Sequence, residues 1–369
     1  MSQRWTVVLP PVALLVLLLS WGRHPGGVAE ALLVTVVAVA LVGAVLTAVH
    51  HAEVVAHRVG EPFGSLVLAV AVTVIEVALI VTLMVSGKGD TSTLARDTVF
   101  AAVMISVNGI VGLSLLVGAL KRNLAVFNPE GTGAALATVI ALAGLCLVLP
   151  RFTTSEPGPV FSPGQLAFAA IASLTLYGLF VFTQTVRHRD FFLPVEAGAD
   201  ADHGPVDEDD DGHADPPTDR AALISLGLLL VALVAVVGLA KVESPAIEDG
   251  VDALGFPQSF VGVVIALLVL LPESIAAVRA ASRARVQTSL NLALGSAMAS
   301  IGLTIPTLAL ASIWLDGPLA LGLGTVQMVL LLLTVLVAVL TVVPGRAKPL
   351  QGGVHLVLLS AFVFLSISP

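Results

Sequence analysis

Two glutamates lie deep inside apolar runs. Glu76 sits in TVIEVALIVT (residues 73–82) and Glu273 in ALLVLLPESIAAVRA (residues 266–280). A lone carboxylate at the centre of a hydrocarbon layer costs between about 3 and more than 10 kcal/mol, so it takes up a proton or is neutralised by a cation. Two carboxylates that share one site titrate as a unit. Such a pair holds protons or a cation, not both at full strength, and that competition is the physical basis of cation/proton exchange.

The residues around each glutamate bear on which cation would fit. Pro272 has no N–H for the Leu268 carbonyl, so the sequence predicts a kinked or opened helix there. Carbonyls freed beside a carboxylate suit a hard cation, which takes oxygen ligands. Thr73, one turn before Glu76, either adds a hydroxyl oxygen or bonds back to its own helix. The segment after Glu76 contains MISVNGIVG, with Ser106, Asn108 and Gly109. A buried Asn108 amide needs partners, and a cation site supplies one. The segment after Glu273 contains Asn291, Gly295, Ser296, Ser300, Thr304 and Pro306. Gly295 and Gly302 read as residues that let helices pack closely. His355, alone near the start of the last apolar run, reads as interfacial.

These positions must be held by membrane-spanning helices. Of 369 residues 57% are hydrophobic and only 11% charged, less than half the charge of an ordinary soluble domain. Hydropathy predicts an all-α polytopic membrane protein with about eleven spans: 6–22, 28–49, 65–86, 98–120, 133–150, 165–186, 221–240, 258–278, 288–313, 318–343 and 352–368. The first run follows Arg4 as a signal peptide would. It lacks a small-residue cleavage pattern, and ten spans follow it, so it reads as a helix of the mature chain. The single cysteine, Cys146, excludes an intrachain disulfide and reads as a small buried hydrophobe.

Lys and Arg fall twelve to five on the side of the N-terminus and the loops after even-numbered spans. That side is therefore predicted to be cytoplasmic, with the C-terminus outside. It includes residues 187–219, which hold 11 of the chain's 25 acidic residues. This reads as a solvated linker or a cation-concentrating tail. Asp207, Asp209 and Asp211, followed by Gly212, match the first half of an EF-hand loop. Thr218 stands where that loop needs glutamate, and Pro216-Pro217 precedes it, so a complete EF-hand is not expected.

The linker divides the chain into an extra helix (1–27), a first five-helix unit (28–186), the linker itself (187–219) and a second five-helix unit (220–369). An odd number of spans per unit sets two related units upside down to one another, the plan of many secondary transporters. Glu76 lies fourteen residues past Pro62 and Glu273 sixteen past Pro257, each in the second helix of its unit. Helix rise puts both about 20 Å along their segments, near mid-membrane.

At GEPFGSLVLAVAVTVIEVALIV and FVGVVIALLVLLPESIAAVRAASRARVQTSLNLALGSAMASIGLTIP the chain resembles the cation/Ca²⁺ exchanger superfamily, within it the bacterial Ca²⁺/H⁺ antiporter branch of the ChaA type. The resemblance covers essentially the whole chain. It implies that Glu76 and Glu273 are the paired repeat glutamates that bind Ca²⁺ or protons, with Asn108 and Ser296 as polar partners from the following helices. Better-studied calcium exchangers have asparagine three residues before each glutamate. Here those positions are Thr73 and Leu270, and Ala299 replaces a glutamine after Gly-Ser. With fewer side-chain oxygens, Na⁺ or K⁺ becomes an alternative or additional substrate.

The resulting expectation is a multi-pass cell (inner) membrane antiporter, not an enzyme, that exports cytoplasmic Ca²⁺ in exchange for protons. It would need no cofactor and no nucleic acid, its partners being Ca²⁺, protons and the lipid bilayer; the sequence is silent on oligomeric state. A Na⁺ or K⁺/H⁺ antiporter with the same site is the near alternative. A cation channel and a membrane scaffold are more remote.

Overall fold

In lipid a backbone can satisfy its N–H and C=O groups only within itself or in a closed sheet, so apolar runs of this length fold as helices. The computed structural model describes residues 4–23, 25–60, 63–86, 91–194, 217–314 and 317–369. Asp207, Asp209 and Asp211 lie outside the described residues. The elements are α1 (Arg4–Ser20), α2 (Gly27–Val59), α3 (Phe63–Ser86), α4 (Leu94–Met104), α5 (Val111–Arg122), α6 (Pro129–Ala143), α7 (Pro163–Phe182), α8 (Asp219–Ala253), α9 (Phe260–Ser282), α10 (Val286–Gly302), α11 (Thr304–Ala311), α12 (Thr325–Val342) and α13 (Pro349–Ile367). A π-turn, Ile105–Ile110, joins α4 to α5 in one crossing. The α10–α11 pair makes another. Ten crossings among the described residues are long and apolar enough to span a bilayer, and α1 adds a shorter helix of 17 residues. The protein is a polytopic helical membrane protein with one extra helix and two oppositely oriented five-crossing halves.

Several helices depart from the hydropathy reading. α2 and α8 run 33 and 35 residues, well past the predicted ends at 49 and 240, and at about 1.5 Å per residue they outreach the hydrocarbon. His50, His51, Glu53 and His57 therefore belong to α2 and not to a loop after it. The polar side chains do not end the helix because its backbone bonds are already made. His51 is buried, and its Nε2 donates to the Thr6 carbonyl at 2.9 Å, tying α1 to α2. Cys146 is buried, within a second π-turn (Gly144–Val148).

The predicted break at Pro272 does not occur. α9 runs unbroken from Phe260 to Ser282, just as α8 passes through Pro245. One missing N–H costs one bond, whereas opening a helix in lipid would strand several. The second half is interrupted at Leu303 instead, between α10 and α11. Pro306 denies a donor to the Gly302 carbonyl and sits in the first turn of α11, where its own missing N–H is harmless.

Apolar packing forms two cores. One joins α1, α2 and α8 through small residues such as Ala13, Ala44, Ala48, Ala232 and Ala235. The other gathers α4–α7 and α10–α13. The glutamate helices contribute to both: α3 gives Val72, Ile75 and Leu79 to the first core and Val77 and Ile80 to the second. α9 gives Val261, Ile265 and Val269 to the first and Ala266, Leu270 and Ala277 to the second. Glu76 and Glu273 thus lie on the seam between the cores.

Loops pair as alternate crossings demand. The loops after the fourth and tenth spans meet as antiparallel strands β1 (Ala125–Val126) and β2 (Arg346–Ala347). Those after the fifth and ninth meet at the Val160–Ala320 bridge. At the ends of the two long helices, Arg58 of α2 pairs with Asp219 of α8.

Where α5 and α13 cross, two glycines face one another. A Cβ on Gly352 would stand 2.6 Å from the Leu116 nitrogen and 2.7 Å from the Gly112 carbonyl oxygen. Backbone atoms cannot yield as side-chain tips do, so Gly352→Ala is expected to cost about 1–3 kcal/mol. Thermal unfolding of detergent-solubilised protein should show a lowered midpoint, while Gly353→Ala, which has open space around its Cβ, should not.

Candidate cation site

Both glutamates are buried, with Glu76 2% and Glu273 7% exposed. The Thr304 hydroxyl, presented by the first turn of α11, donates to Glu76 Oε2 at 3.0 Å. Ser300, one turn earlier on α10, also interacts with this carboxylate. Glu273 lies within electrostatic reach of Glu76 and of Glu53 on α2. An open pocket of about 310 Å³ reaches Glu273 and is lined also by Tyr177, Gln184, Thr288 and Ser296. Gln184 and Thr288 belong to the chain ends flanking the even-numbered loops, so the pocket lies toward the side that carries the acidic linker.

A small set of buried oxygens has no hydrogen-bond partner among the described residues: Glu76 Oε1, Glu273 Oε2, Thr73 Oγ1 and Ser106 Oγ. Polar atoms left unpaired away from water cost about 1–3 kcal/mol each, so these four call for a partner, whether a proton, water or an ion. Thr73 is telling by comparison. Thr35, Thr47, Thr98, Thr138 and Thr175 all donate back to the carbonyl four residues earlier. Thr73 makes no such bond, so its oxygen is free for another partner. The elements that carry the four oxygens (α3, the π-turn and α9) pack against one another directly or through α10.

Not every sequence candidate converges on this set. Ser296 lines the Glu273 pocket. The Asn108 amide is taken up elsewhere, by Thr334 at 2.9 Å and His355 at 3.1 Å. From the same segment it is Ser106, two residues earlier, whose oxygen is unpaired. Asn291 is used structurally, its Nδ2 donating to the Phe192 carbonyl at 2.6 Å. His355 is fully buried, not interfacial; α13 starts earlier than hydropathy suggests and carries it inward. Thr304 and Ser300 stand in the sequence as polar residues of an apolar segment, but nothing there pairs them with Glu76. Glu53, which the sequence places with His50, His51 and His57 in a cluster after the second span that anchors its end or feeds protons at the mouth, lies inside α2 within electrostatic reach of Glu273. Among the described residues no three His, Cys, Asp or Glu side chains gather to hold a metal ion.

The sodium/calcium exchanger protein family profile matches residues 30–186 and 224–368. The chain belongs to the sodium/calcium exchanger family. Within this exchanger family it is 46% identical over 333 residues to a Sinorhizobium fredii protein, y4hA, named as an ionic transporter, covering 89% of this chain and 87% of that one. It is 34% identical to the sodium-potassium/proton antiporter ChaA of Escherichia coli, over 97% of this chain and 95% of that protein. The solved structure of native YfkE shares the fold with a TM-score of 0.71 at 15% identity, covering 99% of both chains. The exchanger family consists of membrane transporters, in keeping with a helical membrane protein that buries Glu76 and Glu273.

Proposed function

We propose that this protein is a secondary cation/proton antiporter that exports Ca²⁺ from the cytoplasm in exchange for protons. The observation that carries the reading is the set of four unpaired buried oxygens, two of them from carboxylates, on elements that pack against one another directly or through α10. Two carboxylates match the charge of one Ca²⁺, and hydroxyls of Thr73 and Ser106 add neutral oxygens of the kind a hard cation takes. When the cation leaves, protons neutralise the same carboxylates, because two bare charges in this setting are too costly. No cofactor enters the cycle. Exposure of the site to alternate sides follows from movement of the α1–α2–α8 core against the other. The excess of Lys and Arg on the even-loop side supports a cytoplasmic N-terminus and linker, and so a pocket toward the cytoplasm.

A second reading is favoured by a specific observation: a 34% identical relative is named a sodium-potassium/proton antiporter. Thr73 supplies one oxygen where an asparagine side chain would reach further, which suits a cation with less demand for ligands. Acid-loaded everted vesicles separate the two. Collapse of the pH gradient on adding CaCl₂ is the expected result. A response to NaCl or KCl and none to CaCl₂ would transfer the assignment to monovalent cations, and collapse with no added cation would dismiss antiport altogether.

A further inference from the structure

A buried polar chain, separate from the four unpaired oxygens, lies beside the candidate site. Asn108, within the π-turn, donates through Nδ2 to Thr334 Oγ1 of α12 at 2.9 Å. Its Oδ1 accepts from Nδ1 of His355 on α13 at 3.1 Å. Nε2 of the same imidazole accepts from the Thr341 hydroxyl of α12 at 3.2 Å. One tautomer of the neutral ring therefore satisfies every member. Asn108, His355, Thr334 and Thr341 are all buried. His355 can come this close because Gly112 and Gly352 let α5 and α13 touch backbone to backbone: a Cβ on Gly112 would stand 2.8 Å from the Cβ of His355 itself.

What this chain holds is an unusual piece of backbone. A π-turn carries one residue more than an α-turn and occurs mostly as a single turn, frequently at functional sites. Relaxing to an α-turn shifts the register by one residue, a rotation of about 100°. Ser106 and Asn108 are two residues apart, close to half a turn of the wider π-helix, and so point to roughly opposite sides of the axis. Anchoring Asn108 to α12 and α13 therefore sets where Ser106 faces. The turn also packs against α9 and α10, the elements of the Glu273 pocket, and Ser106 Oγ is one of the unpaired oxygens.

We propose that His355 is a positioning residue for the cation site: acting through Asn108, it fixes the rotation of the π-turn and holds the Ser106 hydroxyl toward the glutamate helices. This rests on the reading of Ser106 as a cation ligand. His355 itself does not touch the cation, so its loss should weaken affinity and leave the maximal rate largely unchanged.

The test measures half-saturating CaCl₂ in everted vesicles, or NaCl if that is the salt to which the vesicles respond, with membrane content of each variant held equal. His355→Ala is expected to raise it about tenfold. His355→Asn, whose amide nitrogen is one bond from Cγ as Nδ1 is, should recover most of the loss. His355→Gln, whose amide reaches toward Thr341 instead, should not. Ser106→Ala should raise half-saturation to a similar degree, and the double variant no further, because removing the anchor already misplaces the hydroxyl. Additive losses, or an unchanged value in His355→Ala, would overturn the proposal. If His355→Ala does not reach the membrane, the Asn and Gln variants decide, and equal values for those two would overturn it as well. Retained exchange in Glu273→Gln removes the underlying site instead. Loss of exchange there with unaltered His355 variants removes this inference alone.

Discussion

Glu273→Gln is expected to abolish cation-driven proton exchange, with Glu76→Gln doing the same, each by more than a hundredfold. Glutamine keeps the shape and most of the hydrogen bonding but removes the charge. A cation a few ångströms from a carboxylate gains about 4 kcal/mol at an effective dielectric constant near 20, nearly a thousandfold in affinity. A divalent ion left with one carboxylate would also keep an uncompensated charge in a buried place. The loss of a titrating group stops the proton half of the cycle at the same time. The measurement is dequenching of a pH-gradient dye in everted vesicles, with variant content checked by immunoblot. Exchange above a tenth of the wild-type rate in either variant would mean that the paired site is not where transport occurs.

Thr304→Val should have the next largest effect, a fall of about ten- to a hundredfold in cation affinity with Thr304→Ser near wild type. Valine matches threonine in shape, so packing around the fully buried Thr304 survives. What disappears is the hydroxyl that donates to Glu76 Oε2 at 3.0 Å. Glu76 Oε1 is already without a partner, so the carboxylate would then depend on Ser300 alone. Leaving a buried acceptor unpaired costs about 1–3 kcal/mol, and more for a charged group. The hydroxyl both orients the carboxylate and offsets its charge, and the cation-loaded state needs both. Cation titration of the vesicle assay reads this directly. Equal half-saturation in the Val and Ser variants would show that Thr304 only fills space.

The glutamates and the membrane architecture were legible in the sequence because a carboxylate in an apolar run breaks a pattern that is otherwise uniform. The matching places of Glu76 and Glu273 in two units of odd span number predicted a shared site, and in the structure Glu273 lies within electrostatic reach of Glu76. What could not be read was anything set by neighbours distant in the chain. Thr304 meets Glu76 across 228 residues, and no local signal joins them. Asn108 in the π-turn bonds to Thr334 of α12 and His355 of α13, partners distant in sequence, so the sequence put forward Asn108 and not Ser106 as the ligand. Pro272 carried a rule that holds in water more firmly than in lipid, where helix opening strands backbone groups. Pro306, with the same chemistry, does mark an interruption, because a new helix starts just before it. His355 looked interfacial only because the start of α13 was placed too late.

The seam between the two cores has one more implication. The first core is strapped to itself by Arg58–Asp219, and the second by β1–β2 and the Val160–Ala320 bridge. The acidic groups sit on neither body but at the joint. Sliding the joint with bare carboxylates would drag charge along an apolar wall, whereas a cation or protons on board make the load neutral. In the proposed antiport cycle, idle turnover is thus discouraged by the same burial that makes the site costly.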